Sequence, residues 1–109
     1  MGMNLDRIVQ FQRATLVDDG LGTVEVWADH GGTQHASRRD VSDAEKAAAG
    51  TVSAVLQTRF VVRSSSFTRD LTPIDRLVHE GRAFEITGIK EKPARRQFLE
   101  ISCVARADL

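Results

Sequence analysis

The stretch from Asp75 to Ile89 restricts this chain more tightly than any other. Two apolar-rich runs flank Glu80-Gly81, and glycine readily takes the positive φ that a tight hairpin turn needs. Phe84 and Ile86 share one face of the second run, and Leu77 meets them from the first. A third run, Gln97 to Arg106, alternates Leu99, Ile101 and Cys103 with Glu100, Ser102 and Val104. Period-two patterning of this kind is that of strands with one buried face, and it predicts a three-stranded meander. No catalytic pattern lies within it.

The same period recurs upstream. Val9 and Phe11 oppose Gln10 and Gln12 in a strand over residues 7 to 16, and Asp18 to Gly22 supplies a turn. Val24, Val26 and Ala28 then alternate with Thr23, Glu25 and Trp27, completing a hairpin. From His30 to His35 there is no period, and a loop is expected. Ser42 and Glu45 have capping-box spacing, so a short helix is expected over 42–49, stopped by Gly50. Thr51 to Arg63 is the longest strand candidate, and Ser64 to Ser66 ends it. Phe67 to Ile74 reads as irregular because Pro73 bars sheet pairing there. Gly88 marks a bulge, and residues 91 to 96 form a polar turn. Six strands and one helical excursion, residues 29–50, predict a single mainly β domain over residues 1–109. The expected form is a small antiparallel barrel, since closure removes exposed edges. Its expected core is Val9, Phe11, Val26, Phe60, Val62, Phe84, Ile86, Leu99 and Ile101.

Composition narrows the function. Fifteen basic residues balance fifteen acidic ones, which disfavours a strongly basic duplex-binding domain. Five Phe, one Trp and no Tyr argue against a stacking platform for single strands. The one cysteine, Cys103, excludes an intrachain disulfide and fits a reducing compartment. No apolar run has membrane-spanning length, so no membrane partner is expected.

In order and spacing, the elements resemble those of the bacteriophage head–tail joining family, also called head closure or stopper proteins. The resemblance runs from Arg7-Ile8-Val9-Gln10-Phe11-Gln12 and Asp19-Gly20-Leu21-Gly22 through Val24 to Ala28. It continues in Leu56 to Arg63, the Asp75 to Ile89 hairpin and Leu99 to Cys103. The family's meander is Tyr-rich, and His79 and Phe84 stand in comparable places here. The resemblance implies a structural neck component of a tailed phage or a phage-like gene transfer agent, assembled in the bacterial cytoplasm. It implies a homo-oligomeric ring, six- or twelve-fold, with portal or adaptor proteins on the head side. A tail terminator or tail completion protein would lie on the tail side, and packaged DNA in the channel. No cofactor is implied.

Individual residues have competing readings. Trp27 either covers a second layer or anchors a subunit contact. Arg38, Arg39, Asp43, Glu45 and Lys46 are candidates for ring contacts or gating, although acid and base alternate there as on a solvated, internally paired face. Lys90, Lys92, Arg95 and Arg96 form the most basic cluster and are candidates to lie near DNA; an ordinary polar turn explains them as well. His30 and His35, with Asp29 or Asp40, match no common zinc spacing and read as a solvated loop. His79 reads as a rim residue and Cys103 as a small buried hydrophobe. The alternative function is a small β-barrel that binds nucleic acid directly. An enzyme comes third, because no nucleophile–base or paired-carboxylate constellation stands out.

Overall fold

The computed structural model describes residues 4–41, 55–92 and 95–106; the side chains of Val55, Arg95, Arg96 and Arg106 lie outside this description. The helix expected over 42–49 falls outside the described residues, as do Asp43, Glu45 and Lys46. The fold is mostly β. Seven antiparallel strands form one sheet: β1 Arg7–Asp18, β2 Thr23–Asp29, β3 Gln34–Asp40, β4 Val55–Arg63, β5 Arg76–His79, β6 Arg82–Lys92 and β7 Arg95–Arg106. The sheet order is β2-β1-β3-β4-β7-β6-β5, and a further β1–β5 pairing closes six of the strands into a barrel-like ring. The expected mainly β class therefore holds, with seven described strands where the pattern gave six.

The additional strand is β3, in a segment that read as loop and excursion. Its side chains follow no apolar alternation, yet it pairs with β1 through Arg7↔Ala36 to Val9↔Gln34 and with β4 through Ala36↔Val62 to Asp40↔Thr58. Backbone partners on both sides impose the strand where periodicity is silent. β2 and β3 run along the same side of β1 as one interrupted strand. Between Gln12↔Asp29 and Val9↔Gln34, residues 10–11 of β1 face residues 30–33. This two-residue excess is a bulge. It is held by the His30 amide on the Phe11 carbonyl (2.8 Å) and by the Gln10 side-chain amide on the Gly31 carbonyl (3.0 Å).

Gly31 has φ +70°, and a Cβ there would collide with the Phe67 ring. Gly31→Ala is therefore expected to cost about 1–3 kcal/mol, from strain plus overpacking. Urea unfolding checks this, with Gly32→Ala, whose added Cβ meets open space, as the control. At the β5–β6 turn, Glu80 (φ 52°) and Gly81 (φ 77°) both take positive φ, the type I′ combination that matches strand twist. The expected bulge at Gly88 is present as a register shift between Ile86 and Gly88.

Val9, Phe11, Phe60, Val62, Leu77, Phe84 and Ile101 are almost wholly buried inside the ring. Phe60 meets Phe84 edge-on at 5.4 Å and His79 at 5.5 Å. Eight of the nine expected core residues are buried; the exception is Val26, at 45% exposure. Residues 67–74, expected to be irregular, open within a one-turn helix, α1 Ser66–Arg69, capped by reciprocal bonds between Ser65 and Thr68. No described helix is long and apolar enough to cross a membrane.

Candidate interaction surfaces

β1 outruns the ring. Its pairing to β5 ends at Gln12↔Arg76, while its pairing to β2 continues to Asp18↔Thr23. Residues 13–18 and 23–28 thus form a two-stranded arm, and among the described residues no strand pairs with either of its outer edges. The face that is core at Val9 and Phe11 continues along the arm as the pairs Thr15↔Val26 and Val17↔Val24. This is why Val26 was expected inside: it lies on the correct face, but beyond the last strand that covers that face. Leu16, Val17, Leu21, Val24 and Val26 are all exposed. At the tip, the Asp18 and Asp19 carboxylates accept from the Gly20 and Leu21 amides.

A buried ion pair anchors the base of the arm. Asp75, with no side-chain exposure, accepts from Arg13 Nε (2.8 Å), Arg13 Nη2 (2.9 Å) and the Thr72 amide (2.9 Å). Arg13 also reaches the Asp70 carboxylate at 3.3 Å. Burial by itself would raise the Asp75 pKa; the bonds from Arg13 and Thr72 outweigh it and hold it below the usual value. Nothing in the local pattern at Asp75 signals a partner on the first strand, so reading the sequence missed this clamp.

Trp27 lies on the opposite face of the arm, half-buried over the Arg76 guanidinium (4.4 Å to the ring centroid). Arg76 donates to Gln12 (2.7 Å), and Gln12 donates to Asp29 (3.0 Å). Between this face and the outer wall of the ring runs a groove of about 690 Å³, lined among others by Glu25, Trp27, Ile74, Glu85 and Val104.

Arg38 points into one mouth of the ring. It donates to His79 Nδ1 (3.0 Å) and Asp40 (3.0 Å) and lies 5.7 Å from the Phe84 centroid. An arginine can only donate, so His79 Nδ1 is the acceptor and its proton sits on Nε2. His79 is 3% exposed, not a rim residue, and burial lowers its pKa. The neighbouring Arg39 stands on the outer wall opposite Arg59. Lys90 and Lys92 both contact Glu100 at 3.4 Å, so their charge is partly balanced within the chain. Arg95 pairs with Lys92 through the backbone at the head of β7. His30 stacks on Phe67 (5.2 Å) with Asp70 3.6 Å away, while His35 is exposed on β3. Among the described residues no group of three or more His, Cys, Asp or Glu is placed to hold a metal. Burial pushes the Cys103 thiol up to about 12, which removes it as a nucleophile near neutral pH.

These groups set the pH response. Asp75, Asp40 and Glu100 are each desolvated, but their bonded cations and donors dominate and lower their pKa values. A lowered carboxylate stabilises the fold above its unfolded pKa, and that contribution is lost as pH falls through the folded value. A His79 pKa below the ordinary 6.5 acts in the same direction, because the unfolded chain takes up the proton first. Unfolding free energy is therefore expected to decline gently below about pH 6.5 and more steeply below about pH 4. Urea titrations at several pH values check this, and His79→Gln should flatten the first step.

The family model described as phage head completion protein matches residues 3–106. This chain belongs to the phage head completion protein family. The resemblance carried by the strand order and the Asp75 to Ile89 hairpin is thus borne out over nearly the whole length. Head completion proteins are structural, and this one is accordingly a structural component of a phage-type virion. The chain is similar to protein SF1141 of Shigella flexneri 2a, whose solution structure it matches at TM-score 0.70 and 27% identity, covering 98% of this chain and 100% of that one. A chain in the virion of a native gene transfer agent particle shares the fold at TM-score 0.69 and 24% identity, covering 95% and 96%. No curated protein matches.

Proposed function

We propose that this head completion protein forms a homo-oligomeric ring in the neck of a tailed phage or gene transfer agent particle, joining the DNA-filled head to the tail. The family match over residues 3–106 carries the reading. On it, portal or adaptor proteins contact one side of the ring and a tail terminator or tail completion protein the other, and assembly takes place in the bacterial cytoplasm. The fold shared with a chain of a gene transfer agent virion supports a place in such a particle. The open-edged arm supports self-assembly, because a lone two-stranded ribbon with exposed valines is marginal in water. The ring would leave packaged DNA in its channel. Direct duplex binding by the single chain is the weaker reading, given a net charge of zero and lysines that share Glu100.

Deleting the gene in a producing strain tests this. Filled heads and free tails should accumulate unjoined, and the gene supplied in trans should restore joined particles. Normal yields of joined particles from the deletion strain would refute the role.

A further inference from the structure

We infer that the β1–β2 arm of one copy seats in the groove between the arm and the outer wall of the next copy, an inference that rests on the ring reading above. Among the described residues, the exposed large hydrophobics are Ile8, Leu16, Val17, Leu21, Val24, Val26 and Ile74. Five of the seven lie on the arm, and Ile74, at 82% exposure, lines the groove. The two halves of a contact are therefore present on one chain, in different places. Val17, Val24 and Val26 occupy the core-side face of the arm, while Trp27 on the opposite face helps line the groove.

One chain cannot join its own two faces. A second copy can, and the contact it makes is head-to-tail, so that each copy gives an arm and receives one. Repetition of such a contact closes a ring if the rotation allows. Charge agrees with this. Thr15, Val17, Val24, Val26 and Ala28 are uncharged, and the one ionisable side chain on this face, Arg13 at the base of the arm, is already paired to Asp75 and Asp70. In the groove, the Arg76 charge is already covered by Trp27 and bonded to Gln12, and the exposed carboxylates that also line it, Glu25 and Glu85, must stay in water beside the seated strip. Size points to a ring rather than a pair. Six residue pairs, Arg13↔Ala28 to Asp18↔Thr23, make a ribbon roughly 20 Å long and 10 Å wide. One such face falls well short of the ~800 Å² per partner of a stable pair. In a ring each copy uses both faces, and the contacts reinforce one another.

The test uses the full chain, both concentrated in solution and within particles. Val24→Cys and Ile74→Cys are combined in one chain and oxidised mildly. The expected result is a ladder of disulfide-linked oligomers, with neither single variant giving it; buried Cys103 does not compete. In addition, Val24→Asp should weaken self-association about tenfold or more while leaving circular dichroism unchanged. Dimers from Val24→Cys alone would mean that the arms pair two-fold, and would overturn the inference. A disulfide to a different neck protein would overturn it too. Rings that form by amine cross-linking without any disulfide ladder would also sink the arm contact, yet leave the ring reading standing. If no cross-linker captures self-association even in particles, both fall.

Discussion

Phe84→Ala is expected to destabilise the protein by about 3–5 kcal/mol, the usual cost of emptying an aromatic site in a packed core. The ring of Phe84 is 1% exposed, meets Phe60 edge-on, and lies beneath the Arg38 guanidinium. Truncation leaves a void that Phe60 cannot fill without losing its own contacts. Arg38 would lose the face that it covers at the mouth of the ring. In a domain of this size each kcal/mol moves the melting midpoint by roughly 4–8 °C. The midpoint should therefore fall by roughly 12 °C or more in calorimetry. Ile8→Ala is the matched control: Ile8 is 58% exposed and lies outside the arm, so its truncation should change the midpoint little. An unchanged midpoint for Phe84→Ala would mean that the ring interior is assigned wrongly.

Asp75→Ala should cost about 3 kcal/mol, the low end of what breaking a buried ion pair costs. The low end applies because Arg13 keeps 37% side-chain exposure and its contact with Asp70, so its charge is not stranded. The Thr72 amide, by contrast, loses its acceptor. The loss should also have a location. Arg13 lies where β1 leaves the ring, so amides of 13–16 and 26–28 should exchange faster than those of β4 and β7. Asp75→Asn keeps the shape and some of the bonds and should lose less than Asp75→Ala. Chemical denaturation and hydrogen exchange together measure both effects. Wild-type stability in both variants would show that the clamp is incidental.

The sequence by itself determined the class of fold and most of the inward faces. Alternation placed Phe11, Phe60, Phe84, Ile86 and Ile101 on buried faces, because a pleated strand has only two sides and water excludes apolar groups from one of them. Glu80-Gly81 marked its hairpin through the backbone freedom of glycine, and strand order together with the same hairpin carried the family resemblance. Three things belonged to the tertiary structure. β3 has no apolar period; its strand form comes from backbone bonds to β1 and β4, partners distant in the chain. Val26 follows the period but lies outside, since alternation reports which face a residue takes and not where the covering strands end. The Arg13–Asp75 clamp joins residues that only ring closure brings together, and Arg38 and His79 meet for the same reason. Local pattern records local geometry; an unpaired arm, a buried histidine and a long-range ion pair depend on which distant strand arrives beside them.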